Sequence, residues 1–297
     1  MQVYLLLRQI PFEVERTICS KLNVMLGLRP SSAPFLSGDT YRAMADYVFD
    51  ETRDFDPRRL TRGSVVFVSA YRLREFASKI LPKLKEPFVL ITHQGDTNID
   101  DSYAAIADHP FLIHWFAQNA LLEHPKITPL PIGLEDQWRH NAGEKSDFKR
   151  LSKKVFEKTP RIVVAFSINT NPDSRFNCYR ALWKKKCSIE FYSSLNNALY
   201  RTKLQKYMFV ASPPGNGLDC HRTWEAMYLG VVPLVENNYM NRYFASLGLP
   251  LVCVSDWKEV GNWTESYLIE LYNGITDKCH KETMFFPYWK HRIEEYT

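Results

Sequence analysis

A chain of 297 residues is long enough for two domains of ordinary size, each with its own core. Its 45% hydrophobic and 24% charged residues are those of a globular protein, and a net charge of +5 is mild and dispersed. That charge favours an anionic ligand or acceptor and speaks against a nucleic-acid partner. Cys19, Cys178, Cys187, Cys220, Cys253 and Cys279 are scattered, with no C-x-x-C pair and no His at ligand spacing. A disulfide framework is not expected in a chain this large, and a zinc site has no support in that pattern.

The first apolar run, Val3 to Leu7, ends at Arg8 and reads as a short strand, too short for a signal peptide or membrane anchor. Strands then alternate with helical stretches. Ser64–Ser69 is a buried strand, and Tyr71 to Lys85 follows with Leu73, Phe76, Ala77, Ile80, Leu81 and Leu84 at helical spacing. Pro87–Thr92 is the next strand, Asp101–Asp108 a short helix, and Phe111–Phe116 and Ile127–Ile132 two further strands. Continuous apolar runs separated by helices predict a parallel sheet covered on both faces.

A polar stretch, Gln137 to Ser146, and a basic amphipathic segment, Lys145 to Arg161, mark a domain boundary. The alternation restarts with a strand over Arg161–Ser167, a helix near Ser174–Lys184, a strand near Ser188–Tyr192 and a helix near Ser194–Lys203. After the segment described next come a strand over Pro250–Ser255, a helix over Trp263–Tyr272 and an aromatic, charged end from Lys281 to Tyr296. The architecture expected is α/β: two Rossmann-like domains facing across a cleft, residues 1–155 and 156–280. Residues 281–297 are expected to form a helix crossing back to the first domain. No run approaches 18 apolar residues, so no membrane insertion is expected. The chain is read as cytoplasmic, or as the lumenal piece of an anchored enzyme.

Phe209 to Val235 carries the most information. It reads as a buried strand, a glycine-bearing loop, a helix, a glycine stop and a second buried strand. That order builds an anion site at the C-terminal edge of a parallel sheet. Asp219 is the expected N-cap and Gly230 the left-handed C′ residue. Pro213 and Pro214 stiffen the loop, while Gly215 and Gly217, either side of Asn216, let backbone approach a ligand. Arg222 falls in the first turn and Glu225 one turn deeper on the same side. An Arg fork suits a diphosphate and a carboxylate suits the cis-diol of a ribose. An i,i+3 ion pair on a solvated helix has the same spacing.

At these residues the chain resembles the exostosin-like glycosyltransferases. Their second domain carries an S/C-P-x-G turn, then R-x-x-E-A and a glycine and proline before the next strand. Here those positions are Ser212, Pro213, Gly215, Arg222, Glu225, Ala226, Gly230 and Pro233. Pro34–Thr40, Thr92–Asp96, Trp115–Asn119 and Pro131–Glu135 are similar to patterns in short members from microbes and large DNA viruses of algae. The resemblance implies a GT-B fold, a nucleotide-sugar donor, a glycan acceptor and inversion at the anomeric carbon. Its UDP and pentose (UDP-xylose) leanings come from the same source.

Such a transfer needs a grip on the leaving diphosphate. A helix N-terminus contributes about 0.3–1 kcal/mol, or about 2 when partly buried, against a requirement of roughly 8 kcal/mol or more. A second cation is therefore expected, and Arg175 is placed for it; Ser212, Pro214, Gly215, Asn216 and Gly217 would complete the donor site. Asp54-Phe-Asp56 lies in a charged stretch and not at a strand end, so no metal and no further cofactor is expected. His93, Asp96 and Asp39 are the candidates for the base, all in polar turns. Glu135, Gln118 and Arg72 are candidates for acceptor binding, and Trp115 and Trp138 could stack on a sugar, although core packing is the commoner fate of Trp. His114 reads as a core histidine. A sulfotransferase-like enzyme and a non-catalytic sugar- or partner-binding subunit are the rival readings.

Overall fold

The computed structural model describes residue 26 and residues 28–137, 145–154, 156–191 and 196–297. The expected first strand, Cys19 and Trp138 lie outside them. The described strands form two parallel sheets of five. The first contains β1 (Tyr47–Phe49), β2 (Ser64–Ser69), β3 (Phe88–His93), β4 (Leu112–Ala117) and β5 (Ile127–Pro129), in that spatial order. The second contains β6 (Thr159–Val164), β7 (Ser188–Glu190), β8 (Tyr207–Ala211), β9 (Val232–Glu236) and β10 (Val252–Val254), in the order β10-β9-β8-β6-β7.

The second order matters for function. From β6 the chain moves to β7 on one side and later returns to β8 on the other, so the loops after β6 and β8 part there. In open α/β sheets such a switch point leaves a crevice at the carboxyl ends of the strands. Among the described residues the first sheet has no such reversal.

The longer helices are α1 (Gly38–Met44), α2 (Lys145–Leu151), α3 (Pro172–Leu182), α4 (Asn197–Leu204), α5 (His221–Tyr228), α6 (Tyr239–Ser246), α7 (Glu265–Thr276) and α8 (Phe286–Glu294). Strand periodicity divides the apolar side chains between two faces. Val65, Phe67, Val89 and Ile91 join a core that runs on to Val163, Val210, Trp224 and Trp289. Val66, Val68 and Leu90 pack instead with Leu73 and Phe76 on the opposite face. One core thus joins the two sheets. Full burial of a large apolar side chain contributes about 1.5–3 kcal/mol, and Trp224 and Trp289 are both fully buried here.

The last segment lies against the first sheet. The Phe286 N–H donates to the Pro34 carbonyl at 2.8 Å, and Tyr296 stacks on His114 of β4 with ring centroids 4.0 Å apart.

Three local expectations need correction. Tyr71–Lys85 is helical but irregular: its bonding passes from 3-10 to α, to π over Phe76–Ile80, and back to 3-10 over Leu81–Lys83. Pro82, without an N–H, cannot continue an α ladder. The basic stretch is helical only over Lys145–Leu151, because Thr159 already opens β6. Asp219 is not the N-cap of α5; Cys220 is, with no side-chain cap bond. The Asp219 carboxylate is held elsewhere, as described below. Gly230 does end α5 with φ +67°, and the Val231 N–H reaches back to the Ala226 carbonyl at 2.9 Å.

Candidate active site

Arg175, in the first turn of α3, is 5% exposed and stands at the switch point. Its Nε donates to the Pro214 carbonyl and its Nη1 to the Ser167 carbonyl, each at 2.8 Å. Asn171 Nδ2 donates to the Gly215 carbonyl at 3.0 Å, so the β6 and β8 loops are tied together. A side chain at Gly215 would put its Cβ 2.8 Å from Arg175 Nη2, which explains glycine there.

Arg222 comes to the same place from α5. Its guanidinium carbon lies 5.5 Å from the Phe166 ring centroid, and that of Arg175 lies 5.7 Å from the same ring. Arg222 Nη1 is buried and has no hydrogen-bond acceptor among the described residues. Neither arginine makes an ion pair among the described residues. Burial first, and then the neighbouring Arg222 charge, lowers the Arg175 pKa. A buried N–H without an acceptor costs about 1–3 kcal/mol, more for a charged group. The crevice is therefore short of negative charge.

The rest of the predicted donor set is partly committed. Ser212 Oγ is 2.9 Å from Thr223 Oγ1, Asn216 is exposed, and a Cβ at Gly217 would meet Asn119 Nδ2 at 2.7 Å. Glu225 Oε1 lies 3.3 Å from Arg201 Nη2, and Arg201 Nη1 lies 3.1 Å from Asp147. The Glu225 side chain is 15% exposed, so its carboxylate faces a buried ion cluster on one side.

At the first sheet's edge, Gln94 follows β3 with φ 61°, a left-handed conformation that costs a non-glycine residue about 1–3 kcal/mol. Its Nε2 bridges two carboxylates, donating to Asp39 Oδ1 at 2.8 Å and to Asp136 Oδ2 at 2.7 Å. The Asp39 N–H donates to Asp136 Oδ1 at 2.7 Å, and Arg29 Nε lies 2.8 Å from Asp39 Oδ1. Asp39 is 1% exposed and its pKa is raised to about 7, by burial and then by Asp136.

His93 is also buried. Its Nδ1 accepts the Gln94 N–H at 2.7 Å, leaving Nε2 to donate to the Pro131 carbonyl at 3.1 Å. Burial lowers its pKa to about 4, so it is neutral, with both nitrogens engaged. Gln118 is fixed as well: its Oε1 accepts the Gln94 N–H at 2.9 Å and its Nε2 donates to the Gly95 carbonyl at 3.1 Å. Arg72 stands apart from this group, paired with Asp54 at 2.7 Å and Glu75 at 2.9 Å, over the Phe49 ring. Trp115 is core, donating to Thr92 Oγ1 at 2.9 Å, and His114 Nε2 is 2.8 Å from Thr128 Oγ1.

Between these parts lies a cavity of about 70 Å³, lined by Gln94, Asp96, Gln118, Glu135, Asp136 and His221. It collects loops of the first sheet and the first residue of α5. A larger cavity of about 770 Å³ runs beside α3 past Asn177, Arg180 and Trp257, away from this group. Several contacts among the described residues hold the cleft together. Asp219 accepts the Ile132 N–H at 2.8 Å and the Trp224 Nε1–H at 2.9 Å, while His221 Nδ1 donates to the Gly133 carbonyl at 2.8 Å.

The structure thus groups Asp39, His93, Gln118, Glu135 and Asp96 at one edge and Arg175 and Arg222 at the other. Sequence reasoning missed Gln94, Asp136, Arg29 and His221. Gln94 lay inside a quoted turn, Asp136 followed Glu135, and His221 preceded Arg222; only the fold brings them together.

No protein-family model and no curated protein matches this chain. Among solved structures it is similar to the spinosyn rhamnosyltransferase SpnG complexed with spinosyn aglycone, at 15% identity and a TM-score of 0.37, over 74% of this chain and 71% of that one. The same enzyme complexed with thymidine diphosphate gives 15% identity and a TM-score of 0.36 over the same shares, 74% and 71%. Likeness at that level assigns no substrate and no mechanism to this chain.

Proposed function

We propose that this chain is a glycosyltransferase of GT-B type. It takes a sugar from a nucleoside diphosphate, with inversion, and delivers it to a hydroxyl of a glycan acceptor. One observation carries the reading: at the switch point, a partly buried Arg222 with an acceptor-free Nη1 stands beside the buried Arg175, and neither has a carboxylate partner among the described residues. A pair of linked phosphates supplies the missing acceptors and the missing charge. The free N–H groups at the uncapped start of α5 add to that grip.

In this reading Arg175 and Arg222 hold the diphosphate and stabilise it as it leaves. Ser212, Pro214, Gly215, Asn216 and Gly217 shape the loop around it. Glu225 meets the ribose through the carboxylate oxygen that Arg201 does not take. The acceptor approaches from the first sheet's edge, where Glu135 and Gln118 line the cavity. Of the three bases expected from sequence, His93 has both ring nitrogens engaged, Asp39 keeps an Oδ2 unpartnered among the described residues that is buried and does not line the cavity, and Asp96 lines it. The exostosin-like signature makes UDP, and UDP-xylose in particular, the first donor to test.

The test is release of free nucleoside diphosphate from a panel of UDP-, GDP- and TDP-sugars, with and without glycan acceptors. Turnover of one donor, stimulated by an acceptor, is expected. A chain that binds nucleotide but never turns over is a binding subunit, and the enzyme reading then fails.

A further inference from the structure

His221 opens α5, one residue before Arg222, and it is the part of the second sheet's domain that enters the acceptor-side cavity. The Gly133 carbonyl, 2.8 Å from Nδ1, fixes the neutral ring with its proton on Nδ1. A lone pair is then left on Nε2, which has no described protein partner and is not sealed from the cavity. The other titratable groups there are mostly occupied. His93 has both nitrogens bonded, Asp136 has both oxygens bonded, and Asp219 accepts from Ile132, Trp224 and Cys220. On the first-sheet side Asp96 Oδ2 accepts the Tyr71 hydroxyl at 3.3 Å, and Asp96 Oδ1 and Glu135 remain.

The placement of His221 beside Arg222 favours it among the three. Successive helix residues leave the axis about 100° apart. Arg222 turns to Phe166 of the second domain, whereas His221 turns to Gly133 of the first. Inverting displacement needs the leaving group held on one side of the sugar and the proton removed on the other. A single turn of α5 supplies both.

Resting on the glycosyl-transfer reading, we infer that His221 is the catalytic base. Its Nε2 takes the acceptor hydroxyl proton while that oxygen bonds to the anomeric carbon. The bond from this carbon to the phosphate oxygen breaks, and its electron pair leaves with the diphosphate. Proton removal by a side chain at this position is worth about 10²–10⁴-fold in rate.

The experiment compares His221→Asn, which keeps an amide N–H for Gly133 but has no basic nitrogen, with Asp96→Asn and Glu135→Gln. Transfer and UDP affinity are both measured on the full chain. We expect kcat to fall about 10²–10⁴-fold in His221→Asn, with UDP affinity unchanged. Added imidazole should restore turnover in His221→Ala. Retained kcat in His221→Asn, with the loss appearing in Asp96→Asn or Glu135→Gln, overturns the assignment in favour of that carboxylate. Loss of UDP affinity in His221→Asn, with no imidazole rescue of His221→Ala, overturns it in favour of a structural role. Wild-type protein that binds no nucleotide and turns over no sugar overturns the transferase reading itself.

Discussion

The carboxylate of Asp219 accepts the backbone N–H of Ile132 at 2.8 Å, tying the loop before α5 to the loop after β5. The same carboxylate holds Trp224 Nε1, so one buried side chain secures both the cleft wall and the core behind it.

Replacing Asp219 by Ala orphans those two buried donors, each at about 1–3 kcal/mol. A loss of about 2–6 kcal/mol is expected, measured as a lower urea midpoint with the slope unchanged. Asp219→Asn should cost less, because its amide oxygen still serves Ile132 or Trp224. Equal stability of Asp219→Ala and wild type would show that the clasp does not hold the loops.

Asp39 makes stability depend on pH. Its folded pKa is raised to about 7 from 3.8, with burial the largest cause and Asp136 the next. A raised carboxyl pKa means the folded state favours the proton. The stabilisation is complete below the unfolded pKa of 3.8 and is lost as pH rises through about 7. Asp219, raised to about 6 mainly by burial, acts in the same direction. Wild type should thus unfold more easily at pH 8 than at pH 6. Asp39→Asn should show a flatter profile over that range; an unchanged slope would contradict this account.

Gly133 has φ +68°, and a side chain there would strike the Leu36 carbonyl while displacing the acceptor of His221. At a compatible backbone Gly→Ala stabilises by about 0.4–1 kcal/mol, whereas Gly133→Ala is expected to destabilise by more than that amount, read by thermal unfolding. A variant as stable as wild type would mean that Leu36 and Gly133 are not packed this closely.

The sheets were readable because a buried parallel strand has to be a continuous apolar run, as at Ser64–Ser69 and Phe209–Ala211. Gly230 was readable because a left-handed helix end favours glycine. The acid pair was not: Asp39 and Asp136 are 97 positions apart and meet only once β3 places Gln94 between them. Nor was the fate of Asp219, whose carboxylate answers to Ile132 and Trp224 and not to the helix it precedes. Glu225 shows the same limit, since its partner Arg201 belongs to a different helix.

The most direct measurement is the affinity of UDP for wild type and for Arg222→Gln, by titration calorimetry. Arg222 Nη1 has no acceptor among the described residues, so the variant should keep its melting temperature. A charge-assisted hydrogen bond is worth about 1.5–3 kcal/mol, so binding should weaken by roughly 10- to 100-fold. Equal affinity in the two proteins, or a wild type that binds no nucleoside diphosphate, would contradict a phosphate grip at the switch point.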